Sequence, residues 1–189
     1  MYLAGILESL EASPIIGAIR SQEEVDEVIT SNVEVVFILS GNLLNIRQMV
    51  NKLKAHNKKV CIHVDLIDGL GKDHAAIDFL KEFANPDGFI TTKSSLVKYA
   101  KQRGLFVIHR LFLIDSQSLI TGIKNVNEAL PDAIEVMPGI SGKLIERIKT
   151  GTNVPVIAGG LISTKDDIIE SLSAGGLAVS TSCKELWYM

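Results

Sequence analysis

Short β-branched runs recur from one end of the chain to the other, each followed by a segment with helical spacing. This alternation restricts the fold more than any other feature. The strand candidates are Ile15–Ile19, Val35–Leu39, Val60–Val64, Gly88–Thr92, Phe106–Leu111, Ala133–Met137, Val156–Ala158 and Ala178–Ser180. Between the second and third, Leu43, Ile46, Met49, Val50 and Leu53 recur every three to four residues and share one face of a helix over Leu43–Ala55. Ile168, Ile169, Leu172 and Ala174 repeat the pattern after Thr164, a suitable N-cap ahead of Asp166 and Asp167. Gly104, Pro131-Asp132, Gly151 and Gly175-Gly176 fall where such elements must stop.

Strands separated by helices pair in parallel through right-handed crossovers. Eight units in 189 residues leave about 24 residues each, where a typical (β/α)8 barrel uses ~250 in all. The expected fold is therefore α/β, a compact (β/α)8 TIM-like barrel with short loops, spanning 1–189 as a single domain. A doubly wound open sheet is the rival, but no G-x-G-x-x-G follows the first strand. No apolar run reaches the ~20 residues of a membrane span, and Met1 to Ala12 has no basic segment of the signal-peptide kind. Cys61 and Cys183 form neither a disulfide framework nor a metal-ligand spacing, so a cytoplasmic location is expected.

Chemistry in a parallel barrel belongs at the C-terminal ends of the strands. Those ends are polar here: Arg20, Ser40-Gly41-Asn42, Asp65, Thr91-Thr92-Lys93-Ser94, His109-Arg110, Glu135 with Met137-Pro138-Gly139, Gly159-Gly160 and Ser180-Thr181-Ser182. Period-two alternation turns Cys61, His63 and Asp65 inward in the third strand, and Glu135 and Met137 inward in the sixth. In the fifth strand it favours Arg110 over His109. His63 reads as a satisfied core histidine, and His56 and His74 as surface residues. Gly159-Gly160 and Thr181-Ser182 end the last two strands, where barrels commonly hold phosphate on backbone N–H groups. The expected ligand site is Arg20, Asp65, Lys93, Arg110, Glu135, Gly139, Gly159, Gly160, Thr181 and Ser182. Neither a nucleophile elbow nor an H-E-x-x-H is present, and no catalytic residue or metal ligand is assigned.

These strand-end segments resemble the glycerol uptake operon antiterminator regulatory protein family. The resemblance runs through His63-Val-Asp65-Leu-Ile-Asp68-Gly69, Thr91-Thr92-Lys93-Ser94-Ser95 and Arg110-Leu-Phe-Leu-Ile-Asp115. It continues through Glu135-Val-Met-Pro138-Gly139-Ile140, Ala158-Gly159-Gly160-Leu-Ile162-Ser-Thr164 and Ser180-Thr181-Ser182 with Leu186-Trp187. It implies a barrel that senses glycerol 3-phosphate as effector, with no cofactor, and acts on the leader mRNA of glycerol-utilisation genes. The alternative is a barrel enzyme using glycerol phosphate, of the prenyl transferase type with Asp65 holding Mg2+, or a phosphosugar lyase or isomerase.

A net charge of −3 rules out a uniformly basic RNA binder, so any RNA surface must be a local patch. Lys52, Lys54, Lys58 and Lys59 close one helix, and Lys98, Lys101 and Arg103 close another. In a barrel these ends would lie either side of the third strand, on the face opposite the ligand. Cations at helix C-termini also offset the macrodipole, which is the structural alternative. Homo-oligomerisation is left open.

Overall fold

The computed structural model describes residues 4–189; residues 1–3, the start of the segment read above for a signal peptide, lie outside them. Eight parallel strands close into a barrel in the order β1 (Ile15–Ile19), β2 (Val35–Ile38), β4 (Lys59–His63), β6 (Gly88–Thr91), β7 (Val107–Phe112), β8 (Ala133–Met137), β9 (Val156–Gly159) and β10 (Ala178–Thr181). The helices are α1 (Ala4–Ala12), α2 (Glu24–Thr30), α3 (Ile46–Ala55), α4 (His74–Phe83), α5 (Ser94–Gln102), α6 (Ser116–Ala129), α7 (Gly142–Gly151) and α8 (Lys165–Ser173). The expected strands are all present, with no end shifted by more than one residue.

Alternation divides the core into two regions. Residues of one parity, such as Val36, Ile38, Val60, Ile62, Ile134 and Val136, pack outward against the helices. Those of the other parity, including Ile16, Val35, Phe37, Cys61, Ile90, Ile108, Ala133, Ile157 and Ala178, fill the interior. Ile6 and Leu10 of α1 join this inner cluster, so the helix ahead of the first strand plugs the bottom of the barrel. Each of these two buried side chains contributes roughly 1.5–3 kcal/mol. The βα alternation predicts no element over Met1 to Ala12, so this plug is a contribution of barrel closure.

Local chemistry starts the helices. Thr164 and Asp167 form a capping box on α8, and Asp115 and Ser118 form one on α6. The Asp73 side chain accepts from the Ala76 N–H at the start of α4. Each cap is worth about 1 kcal/mol. A second, two-stranded parallel sheet pairs β3 (Gly41–Asn42) with β5 (Ile67–Asp68), lying between the end of β2 and α3 and between the end of β4 and α4. It forms a strap over the β2–β4 side of the mouth. The chain ends in a 3-10 turn, Lys184–Tyr188, whose buried Trp187 donates from Nε1 to the Thr181 carbonyl at 2.9 Å.

Candidate functional site

Moving up the interior from the apolar layers, the next inward positions are polar. Arg110 and Glu135 face each other across neighbouring strands, with Arg110 Nε donating to Glu135 Oε2 at 2.6 Å. Ser180 Oγ donates to the other carboxylate oxygen at 2.6 Å. Glu135 is fully buried and Arg110 is 5% exposed. Both expected orientations are observed: Arg110 points in, and His109 instead approaches the Thr92 carbonyl with Nε2 at 3.3 Å.

Glycines make room for this network. A Cβ on Gly159 would lie 2.5 Å from Glu135 Oε1 and 2.8 Å from Ser180 Oγ. Gly159 is therefore small because a buried carboxylate occupies the space beside it, a reason the sequence did not disclose. Gly139 has a different constraint: its Cβ would stand 2.6 Å from the Gly159 backbone N. The Gly139 N–H donates to the Gly159 carbonyl at 2.6 Å, bracing the end of β9.

A hollow of about 60 Å3 opens above the ion pair, room for several waters. Arg20, Arg110, Glu135, Gly160, Ser180 and Ser182 line it, with Thr181 and Met137 among their neighbours. Gly160 holds a left-handed φ of +74°. The backbone N–H groups of Gly160 and Ser182 have no acceptor among the described residues, and neither do the terminal nitrogens of Arg110. Two unpaired amides and the unpaired end of a guanidinium, all on residues lining one hollow, are the groups an anion site uses. The rim cation is Arg20, which is exposed. Thr181 is occupied structurally: its hydroxyl donates to the Ile162 carbonyl at 2.7 Å and accepts from the Cys183 N–H at 3.0 Å.

Asp65 and Lys93 lie apart from this hollow. The strand ends at His63, and Asp65 falls in a 3-10 turn, Val64–Leu66, so strand alternation does not set its direction. Its carboxylate accepts from the Thr92 N–H at 2.8 Å and from the Thr91 and Thr92 hydroxyls at 3.1 Å, tying the end of β6 to that of β4. Lys93 stands at the N-cap of α5 and donates from Nζ to the Lys72 carbonyl at 2.9 Å.

His63 lies inside the barrel as expected, but it is not satisfied there. Its Nδ1 is buried without a hydrogen-bond partner, as is that of His109, and Asp65 Oδ2 is 3.8 Å away. Burial, with the Arg110 charge adding to it, holds the His63 pKa down at about 4; burial lowers that of His109 too. The unfolded chain therefore binds more protons than the folded one between pH 6.5 and 4, and stability falls as pH falls through that window. Between pH 7.5 and 5 the loss from His63 alone should be about 2 kcal/mol. Urea unfolding at the two pH values checks this: His63→Asn should lose correspondingly less than the natural chain. Equal losses would place the pH sensitivity elsewhere.

The basic cluster expected to face RNA is largely engaged internally. Lys52 pairs with Asp26 at 2.5 Å, Lys54 with Asp87 at 3.2 Å, and Lys98 with Glu128 at 3.6 Å. Lys101 pairs with Asp132 at 2.5 Å and Arg103 with Asp78 at 3.2 Å. Lys58 donates to the Ser31 and Val33 carbonyls, and the Lys59 amine lies close beside Gly5 of α1. The two groups also do not flank one strand. α5 follows β6, so α4 stands between it and α3, and the two groups of cations sit on helices that are not neighbours.

Fold and mouth together define a (β/α)8 barrel with an ion pair beneath an anion-facing hollow. The chain belongs to the glycerol-3-phosphate responsive antiterminator family, whose sequence profile matches residues 15–187. It is similar to the crystal structure of a glycerol uptake operon antiterminator regulatory protein from Listeria monocytogenes: 35% identity, 93% of this chain and 95% of that one, TM-score 0.89. A glycerol uptake operon antiterminator-related protein from Thermotoga maritima is 33% identical, covering 93% and 98%, with TM-score 0.83. An uncharacterized Escherichia coli protein, YgcP, is 36% identical over 182 residues, 96% of this chain and 95% of its own. A deoxyribose phosphate aldolase from Aeropyrum pernix, 16% identical with TM-score 0.71, shares the fold alone.

Proposed function

We propose that the chain binds glycerol 3-phosphate in the hollow at the barrel mouth and, so loaded, binds the leader mRNA of glycerol-utilisation genes and prevents termination there. The observation that carries the first half is the convergence of the free Gly160 and Ser182 N–H groups with the unpaired end of Arg110. The phosphate takes the two amides, with the exposed Arg20 closing over it from the rim. The terminal N–H groups of Arg110 and the free lone pairs of Glu135 meet the glycerol hydroxyls. Glu135, rather than Asp65, is the carboxylate within reach, because the Asp65 oxygens already hold the threonines of β6.

Family membership supports the second half. The ion pair cancels within itself and leaves Arg20 as the hollow's one net positive charge, which an arriving phosphate reverses, so ligand occupancy changes the local charge. That is an adequate physical basis for a sensor. Calorimetry with glycerol 3-phosphate, and gel retention of a glycerol-operon leader transcript with and without it, test the reading. Ligand binding with ligand-dependent retention is the expected result. Retention that ignores glycerol 3-phosphate, or no retention at all, would overturn it.

A further inference from the structure

The outer faces of α3 and α4 enclose an open groove lined by Leu44, Arg47, Gln48, Asn51, Lys52 and Phe83. Phe83 stacks on Phe79 with centroids 5.0 Å apart and planes 18° from parallel, and the Arg47 guanidinium lies 5.3 Å above the Phe83 ring. Phe79 is 39% exposed, although Phe37, Phe89 and Phe106 are buried in the core. Through α3 run Arg47, Lys52 and Lys54 without a single carboxylate.

We infer that this groove binds single-stranded RNA. The inference rests on the regulatory reading above and assigns it a surface. The Phe83 ring in the groove carries Arg47 and Phe79, so the ring open to a stacked base is that of the exposed Phe79 beside the groove. Cations follow the backbone, and side-chain amides reach base edges. Gln48 and Asn51 supply the amides, and no carboxylate lines the groove to repel phosphate. Lys52 pairs with Asp26, but both groups are well exposed and such a pair yields readily to a phosphate. Two copies docking here about a two-fold axis would set one basic α3 near another, which charge opposes. The groove also adjoins the mouth through the chain. Three residues separate β3 of the strap from α3, and the side chains of Asn42 and Asn45 lock that junction, each accepting from the other's backbone N–H at 3.1 and 2.8 Å.

Anisotropy titration of a labelled oligo(U) of about 15 nucleotides, free and annealed to oligo(A), tests the assignment at saturating glycerol 3-phosphate. The natural chain should prefer the single strand. Phe79→Ala should weaken binding about tenfold through the loss of one stacked base, and Phe79→Tyr should restore it. Arg47→Glu should weaken it similarly and flatten the log-affinity slope against log salt by about 0.7 or more. Glycerol 3-phosphate affinity should stay within error in all three, and all three should remain folded, with Phe79→Ala melting a few degrees lower for the lost stacking on Phe83 and Phe79→Tyr restoring it. If the natural chain retains RNA and the variants match it in affinity and slope, the groove assignment falls and the regulatory reading stands. Should the natural chain retain neither oligo(U) nor the leader transcript, both fall. Dissociation of an oligomer by Arg47→Glu with RNA affinity unchanged would give the groove to a second copy instead.

Discussion

Glu135→Leu should cost the barrel about 3–5 kcal/mol, the largest stability effect expected of any single substitution here. The carboxylate is fully buried and receives both Arg110 Nε and Ser180 Oγ at 2.6 Å, so its removal strands a guanidinium and a hydroxyl together. Breaking one side of such a pair is far worse than replacing both. The double variant Arg110→Met/Glu135→Leu should accordingly recover most of the loss, since two apolar side chains of similar volume fill the space without a charge. Urea unfolding of the two variants and the natural chain at neutral pH measures this. A single variant within about 1 kcal/mol of the natural chain would mean that Arg110 rehydrates through the mouth. The double variant serves a second purpose. It should stay folded and lose glycerol 3-phosphate binding, which distinguishes a scaffold role from a ligand role for the pair.

Gly160→Val should reduce glycerol 3-phosphate affinity by about a hundredfold or more, the equivalent of losing a charge-assisted hydrogen bond. The position has φ +74°, where a β-branched residue is strained, and its Cβ would lie 2.8 Å from Met137 Cε at the edge of the hollow. Backbone strain alone could be blamed for such a result. Gly104→Val provides the matched control: φ is +68°, and nothing lies within 4 Å of the added Cβ. Both variants should carry the same backbone strain, Gly160→Val losing somewhat more stability for the Met137 contact, and only Gly160→Val should lose ligand in calorimetry. Unchanged affinity in a folded Gly160→Val protein would move the phosphate away from the β9 end.

The parity of the strands was readable because it is a local property. Val60 and Ile62 pack on helices while Cys61 faces in, as alternating residues of one strand must. Helix starts were equally local: the Thr164 hydroxyl and Asp167 are three residues apart, and they cap α8 wherever it lies. Alternation failed for Asp65, because the strand had already ended at His63 and a 3-10 turn set the next direction. Helix-end charge also misled. Lys52, Lys54, Lys98, Lys101 and Arg103 look free along the chain, and their carboxylate partners lie on other elements.

The sequence by itself determined the number of βα units, the hand of their connections, the inward placement of Arg110 and Glu135, and the glycines at the ends of β8 and β9. Hydrophobic period and chain chirality act over a few residues, so these features are written in short stretches. Only the closed barrel decided what those residues do. Closure brings Arg110, Glu135 and Ser180 together from positions 25 and 45 residues apart, and it presses Gly159 against the carboxylate they share. Likewise it seats Ile6 and Leu10 in the bottom of the interior and binds Asp65 to the end of β6. Such contacts are set by which strands become neighbours around the ring, and no local pattern encodes that distance.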